Sequence, residues 1–175
     1  MKGQILKMRV LGVDPGLTRC GIAVVDEAAG RKVILKTVMV FRTPATDPLA
    51  ERLLQLDTAL SKIIKEFKPD VVAVEQVFSQ HNLKSVMGTA QAAGLAMVNA
   101  AKQGCQVFTY TPTQVKASVT GSGKADKRQI GRMIAKICGL SSAPEPADAS
   151  DAVALAICHL WRGGTDEKIR KRAVS

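Results

Sequence analysis

The segment Arg9-Val10-Leu11-Gly12-Val13-Asp14-Pro15-Gly16 decides how the chain is organised. It starts as a short apolar run of strand length and ends in Asp-Pro-Gly, a sequence typical of turns. The segment Val71-Val72-Ala73-Val74-Glu75 has the same form, an apolar run closed by an acidic residue. Because runs that are apolar throughout are typical of parallel strands covered on both faces, we expect these two segments to form the centre of a sheet.

Working outward from these segments, the hydrophobic pattern alternates between strand and helix. It predicts strands at 9–13, 21–25, 32–41, 71–74 and 106–110, and helices at 48–67, 83–103, 114–119, 127–138 and 147–161. Asp47 is expected to cap the first helix, with Pro48 at its first position. Short turns predict an antiparallel meander for the first three strands, whereas helical connections make the fourth and fifth strands parallel to the first. The predicted fold class is α/β, a five-stranded mixed sheet flanked by helices.

A length of 175 residues, without internal repeats or a low-complexity linker, predicts one domain. We assign that domain to residues 8–162, with 1–7 as an N-terminal extension and 163–175 as a basic, flexible tail. No stretch is apolar enough to predict a signal peptide or a membrane span. The four cysteines are scattered singly, which predicts buried thiols in a reducing cytoplasm and argues against a thiolate zinc site or a disulfide framework.

The charge balance indicates a polyanionic partner. Lys and Arg number 25 against 15 Asp and Glu, a formal net charge of +10. Such a surface attracts nucleic acid, although it leaves the fold open. Aromatic residues are only 3% of the chain, so we expect phosphate contacts to dominate over base stacking.

Acidic residues from three separate segments are candidates for one site. If the strand at 71–74 lies beside the strand at 9–13, the sheet has a topological switch there, and sites form outside the carboxyl ends of strands at such a switch. That arrangement brings Asp14 and Glu75 together. Asp148 and Asp151, three apart at the start of the last helix, share one helix face. Each feature has a simpler interpretation, as a turn residue for Asp14 and as helix N-terminal acids for Asp148 and Asp151.

Four acids so close together would repel one another and raise one another's pKa unless a cation neutralised them. An all-oxygen donor set favours Mg²⁺ or Mn²⁺. Two such ions can activate a water and stabilise the leaving oxygen of a phosphodiester. A basic chain that carries an acidic metal site therefore has the character of a nuclease.

Three segments of the chain, in order and spacing, resemble the signature segments of RuvC-type Holliday-junction resolvases. They are Gly12-Val13-Asp14-Pro15-Gly16 with Gly21, Val74-Glu75-Gln76-Val77-Phe78, and Ala147-Asp148-Ala149-Ser150-Asp151-Ala152. The resemblance runs from about Met8 to Leu160. It implies an RNase H-like fold and a structure-selective endonuclease that resolves four-way DNA junctions in recombination and repair, by Mg²⁺-dependent symmetric nicking of two opposing strands.

The resemblance also implies roles and partners. Asp14, Glu75, Asp148 and Asp151 become the catalytic, metal-binding acids. Our hypothesis places one of two Mg²⁺ ions on Asp14 with Asp148 or Asp151, and the other between Asp14 and Glu75, with Mn²⁺ able to substitute. The implied partners are junction DNA, a second copy of the chain, and a branch-migration motor with its junction-binding protein. The apolar residues of the helix at 83–103 favour such a homodimer, although burial within a monomer stays an alternative.

DNA contacts are expected next to the acids. The resemblance gives Phe78 a base-stacking role, against the alternative of core packing, and places Lys116 and Lys127 beside the DNA backbone. The span 116–136 holds six basic residues against one acidic residue, and it flanks the Gly121-Ser122-Gly123 loop, which we expect to be flexible and to contact phosphate. Lys124 and Arg128 are therefore added as DNA-binding candidates, with a solvated helix face as the alternative.

Three rival functions are open at this point. An RNase H-like nuclease for RNA or RNA–DNA hybrid would use the same carboxylates and differ only in substrate. A sugar-kinase or actin-like ATPase also begins with a strand-end Asp and glycines, but it needs a second phosphate loop and a larger chain. A metal-independent DNA-binding module would leave Glu75 without a purpose shared with Asp148 and Asp151.

Overall fold

A five-stranded mixed sheet forms the centre of the molecule. Its strands are β1 (Arg9–Asp14), β2 (Arg19–Glu27), β3 (Val33–Arg42), β4 (Val71–Glu75) and β5 (Gln106–Tyr110). The computed structural model describes residues 8–77 and 83–173, without the side chains of 83–85 and 164–173. The sheet order is β3-β2-β1-β4-β5. Pairing is antiparallel from β1 to β3 and parallel for β1–β4 and β4–β5, which confirms the predicted meander and the two parallel strands.

Helices cover both faces of the sheet. They are α1 (Leu49–Phe67), α2 (Leu83–Lys102), α3 (Pro112–Thr120), α4 (Lys127–Cys138) and α5 (Ala147–Ala173). Alternate residues of each strand point to opposite faces. Leu11 and Val13 of β1 therefore enter one core with α1 and α2, while Val10 enters the other core with α3, α4 and α5.

Several predicted boundaries differ from those in the structure. The helix α1 begins after Pro48, which has an extended backbone, and Asp47 does not cap it but accepts a hydrogen bond from Gln55 Nε2 at 3.2 Å. The α3 helix starts earlier than expected, since Thr111 forms a capping box with Gln114. At the other end of the chain, α5 continues to Ala173, through residues for which we expected a flexible tail. The basic and acidic residues after 164 are good helix formers, so the helical pattern outlasts the apolar one.

The long helix α5 lies unusually close to the strands. A β-carbon at Gly12 would collide with the carbonyl oxygen of Ala152 and would lie 3.0 Å from the Ala156 backbone nitrogen. One at Gly21 would collide with the Asp148 carbonyl oxygen. Glycine is required at both positions because any side chain would push α5 away from β1 and β2.

The prediction of buried thiols is only partly confirmed: Cys20 and Cys158 are buried, whereas Cys105 and Cys138 are partly exposed. The four cysteines all lie in the described part of the chain and form no disulfide. Cys20 is fully buried in β2, and burial raises the pKa of its thiol to about 12. Within residues 8–77 and 83–173, no helix is both long and apolar enough to cross a membrane.

We expect Gly12→Ala to destabilise the protein by about 1–3 kcal/mol or more, because the added methyl overpacks a backbone-to-backbone contact. Gly94→Ala is the matched control, since nothing lies within 4 Å of a β-carbon at that position of α2. It should be neutral or stabilising by up to about 1 kcal/mol. Urea unfolding of both variants measures the difference, and equal stabilities would contradict the proposed contact.

Candidate active site at the β1–β4 switch

Two carboxylates lie at adjacent strand ends. Val13 of β1 pairs with Val74 of the parallel strand β4, so Asp14 and Glu75 are the next residues on each strand. Chain connections leave β1 and β4 in opposite directions across the sheet, which makes this position the topological switch. The sequence prediction that Asp14 and Glu75 meet is therefore confirmed in backbone register.

The start of α5 brings two more carboxylates to the same place. A β-carbon on Gly21, the β2 partner of Asp14, would lie 3.2 Å from Asp14 Cβ while colliding with the Asp148 carbonyl. Asp151 follows one helical turn later and adds its negative charge to that of Asp14 and Glu75. We call Asp14, Glu75, Asp148 and Asp151 the carboxylate cluster.

The Oδ2 atom of Asp148 does not cap a backbone N–H of α5. It is buried and makes no hydrogen bond, although the Arg19 Nε atom lies 3.3 Å away in an ion pair. A capping carboxylate would instead accept a hydrogen bond from a backbone N–H of the first turn. The Asp148 side chain thus has a buried oxygen whose lone pairs are available to a ligand.

Burial is the largest cause of raised pKa values in the cluster. It raises the pKa of Asp14 to about 8, with further contributions from the negative charges of the other three acids and an opposing one from the Lys127 ammonium. Burial likewise raises the pKa of Glu75 and of Asp151, and a neighbouring acid adds to each shift. The cluster therefore holds negative charge at an energetic cost that a bound cation would remove.

Basic side chains border the cluster on the α3 and α4 side. Lys116 of α3 and Lys127 of α4 both lie close enough to lower the pKa values of Glu75 and Asp151. Arg128 follows Lys127 along the wall of a pocket of about 600 Å³ that also reaches Asp151. The structure thus brings Lys116, Lys127 and Arg128 to this end of the sheet.

The two remaining residues that were predicted to bind DNA are Lys124 and Phe78. Lys124 is exposed in the turn between α3 and α4. That turn is hydrogen-bonded: Gly121 caps α3 in the left-handed conformation, and the Ser122 backbone N–H donates to Thr120 Oγ1 at 3.1 Å. Phe78 lies outside the described residues.

Two arginines near the cluster were missed by the sequence analysis. Arg19 pairs with Asp148, and Arg52 lines the same groove as Arg19, Asp14 and Asp148. Arg19 follows the Asp-Pro-Gly turn by three residues. This short distance from Asp14 in the sequence could have indicated that Arg19 lies near the cluster. Arg52 lies in the first turns of α1, and only tertiary structure places it here.

Sheet order and carboxylate cluster together define an RNase H-like nuclease domain. The chain belongs to the RuvC family of crossover junction endodeoxyribonucleases, whose model matches residues 10–159. It is 55% identical to the crossover junction endodeoxyribonuclease RuvC of Salinispora arenicola over 166 residues, which covers 95% of each chain.

Solved structures agree with this assignment. The Thermus thermophilus RuvC structure has a TM-score of 0.84 and 33% identity, and it matches 91% of this chain and 97% of that one. The T. thermophilus RuvC in complex with Holliday junction substrate has a TM-score of 0.87 and 32% identity, with 91% and 96% covered. Both likenesses extend over 91% of this chain, so the RNase H-like fold class is confirmed.

The ligand atoms of the cluster are of the type that divalent cations prefer, but their arrangement is not that of a complete metal site. All its donors are carboxylate oxygens, the ligands preferred by hard cations, and one of them is buried without a hydrogen bond. Across the described ranges, however, no three His, Cys, Asp or Glu side chains are arranged as a ready-made metal site. Metal binding would therefore draw the carboxylates closer together, against their mutual repulsion.

Asp14→Asn should stabilise the metal-free protein, because folding no longer has to bury a carboxyl that must take up a proton. The native Asp14 carboxyl keeps its proton up to a pKa of about 8, whereas an unfolded Asp loses it near 3.8. The unfolded state thus binds fewer protons between these values, and wild-type stability falls as pH rises through that window. We expect the gain of the variant to grow from pH 5 to pH 8, by about 3–4 kcal/mol.

Thermal unfolding in EDTA at both pH values measures this gain. Asp47→Asn, a substitution outside the cluster, is the control and should change stability by less than about 0.5 kcal/mol. A variant that is less stable than wild type at pH 8 would show that Asp14 is stabilised by its surroundings without a metal.

Proposed function

We propose that the protein is a structure-selective endonuclease that resolves four-way DNA junctions by nicking two opposing strands. The observation that carries this proposal is the buried, mutually repelling carboxylate cluster at the switch point of a RuvC-family fold. The basic chain, with 25 Lys and Arg against 15 Asp and Glu, supplies the attraction for a polyanion. Homologous recombination and DNA repair are the processes that produce such junctions.

The four acids of the cluster can be assigned to two cation positions. The pKa of Asp14 is raised by the charges of all three other acids, so we infer that it is shared by two cation positions, one with Glu75 and one with Asp148 or Asp151. When bound, two divalent cations would activate a water and stabilise the departing 3′ oxygen of the phosphodiester. The four acids hold and orient these cations and form no covalent bond with DNA. The expected product is a ligatable nick with a 5′-phosphate.

We infer that the cation is Mg²⁺, with Mn²⁺ able to replace it. Carboxylate oxygens suit both ions, and the cluster lacks the thiolate or imidazole ligands that favour zinc. The basic residues on the α3 and α4 side have a separate role in this proposal. Lys116 and Lys127 lie next to the acids, where they can hold phosphates of the cleaved strand, while Arg128 and Lys124 extend the basic surface outward. Phe78 is proposed to stack on a junction base.

Symmetric nicking requires two sites, so we propose a homodimer. Exposed apolar side chains on α1 and α2 support it: Met87 is 60% exposed and Val98 is 49% exposed, while Leu54 on α1 is 65% exposed. Ala92, Ala96 and Ala100 occupy the buried face of α2, so the exposed apolar residues are not needed by the monomer core. We further propose a cytoplasmic location, and a branch-migration motor with its junction-binding protein as partners.

We extend the proposal to domain organisation. Residues 8–162 form the nuclease domain in this scheme, and the sheet with the larger part of its covering helices falls within that range. Residues 1–7 are an N-terminal extension, and 163–175 add basic charge at the C-terminal end.

Cleavage of a labelled four-way junction tests the nuclease proposal. Wild type with Mg²⁺ should make paired nicks in the junction, and EDTA should abolish them. Asp14→Asn and Glu75→Gln should each lower the cleavage rate by at least about 10²-fold, since each removes a charged ligand of the reacting centre. Asp47→Asn, the acid outside the cluster, should cut at the wild-type rate.

Linear duplex and RNA–DNA hybrid are run beside the junction. Cutting of the hybrid in preference to the junction would make the protein an RNA-directed nuclease with the same chemistry. Junction binding without cleavage in Mg²⁺ or Mn²⁺ would reduce it to a binding module.

Self-association is tested with Met87→Glu. A carboxylate placed in an apolar interface would be desolvated without a partner, so the variant should sediment as a monomer where wild type sediments as a dimer. Ile34→Glu is the control, because Ile34 is 46% exposed on β3 rather than on α1 or α2. A monomeric wild type at micromolar concentration, with junction present, would contradict the dimer.

A further inference from the structure

A second basic surface lies on the opposite side of the cluster from the lysines. It is a groove of about 370 Å³ beside the turn that follows β1, and we call it the arginine groove. Its polar walls are formed by Thr18, Arg19, Arg52 and Thr89, together with two members of the cluster, Asp14 and Asp148. The groove is therefore continuous with the proposed reaction centre.

Arg52 is fixed in this groove by neutral oxygens. Its Nε donates to Thr43 Oγ1 at 2.9 Å, and its Nη2 donates to Thr18 Oγ1 at 2.8 Å. Thr43 is only 3% exposed, and its own hydroxyl donates to the Leu17 carbonyl. The guanidinium is thus held by a buried residue and by the turn that leaves Asp14.

The charge of Arg52 is not balanced locally. In the described part of the chain, no carboxylate lies within ion-pairing distance of it. A guanidinium has five N–H donors, and the two hydrogen bonds to threonine leave the remaining donors for a ligand. Fixed, planar donors of this kind match phosphate oxygens better than a mobile ammonium does.

The net charge of the groove depends on the reaction centre. Arg19 is paired with Asp148, whereas the guanidinium of Arg52 has no carboxylate partner among the residues that the structure describes. Any cation held by the cluster would add positive charge beside Arg52, and an anion would then be attracted. A DNA strand lying over the cluster would have the lysines of α3 and α4 on one side of the scissile phosphate and the arginine groove on the other.

We propose that the arginine groove is a phosphate-binding subsite, in which Arg52 holds one backbone phosphate of the cleaved strand next to the scissile phosphate. This inference rests on the proposed junction-cleaving function. Lysines on one side and Arg52 on the other would hold the strand at two points, which fixes the scissile phosphate over the carboxylates.

Junction binding tests the subsite. The parent protein is Glu75→Gln, which removes an acid outside the groove so that the junction is not cut in Mg²⁺. Adding Arg52→Gln should weaken junction binding about ten- to thirtyfold, the effect of losing a charge-assisted hydrogen bond. The slope of log Kd against log salt should fall by about one. Arg52→Lys keeps the charge and should keep most of that slope.

Lys62→Gln is the matched control, since it removes one positive charge from an exposed position farther along α1. It should weaken binding by less than about threefold, because salt screens distant charges. Neutral methylphosphonates, placed singly at phosphates on either side of the cut, then locate the contact. At one position the parent should lose affinity while the Arg52→Gln protein loses almost none, a coupling that general unfolding of the turn would not produce.

The outcomes separate the two proposals. Coupling at one phosphate, with the larger loss for Arg52→Gln than for Lys62→Gln, supports the subsite. Equal losses in these two variants, or no coupled phosphate, would overturn the subsite, while junction cleavage by wild type would still uphold the proposed function. A parent that does not prefer the junction over duplex would overturn both.

Discussion

The close contact between α5 and the sheet is the constraint on which the site depends. Gly12 and Gly21 present bare backbone to the helix, so the Ala152 and Asp148 carbonyls lie where side chains would otherwise be. A helix seated at ordinary distance would carry its first turn away from Asp14. The same contact buries Ala149 and Ala152 of α5, so packing and site geometry are produced by one set of small residues.

That geometry has an electrostatic cost. Four acids converge in a half-buried position, and the pKa of Asp14 rises to about 8 as a result. Lys116 and Lys127 offset part of the repulsion, as their effect on Glu75 and Asp151 indicates. The repulsion that the lysines do not offset would be relieved by a bound cation. We therefore expect the metal-free protein to be less stable than the metal-bound protein. Function and stability are opposed at this position.

Much of the fold could be predicted because two apolar runs, each closed by an acid, mark adjacent parallel strands. The meeting of Asp14 and Glu75 follows from that register alone. The position of Asp148 was harder to predict. It lies near Asp14 because α5 contacts the backbone at Gly21, and the hydrophobic pattern of the sequence does not indicate this contact. Arg52 was missed for a related reason: α1 is predicted as a helix, but its approach to the turn at Thr18 is set by tertiary hydrogen bonds. The end of α5 was predicted too early. The helical spacing of apolar residues ends near 161, whereas the residues that follow still favour a helix.

The carboxylate cluster also joins the first strand of the domain to its last helix. Asp14 emerges early during synthesis, Glu75 follows after α1, and Asp148 and Asp151 come after four helices and five strands have been made. A nascent or C-terminally truncated chain therefore lacks half of its acids, however well its sheet has formed. The cluster can therefore be complete only after translation has passed Asp151, at the start of α5.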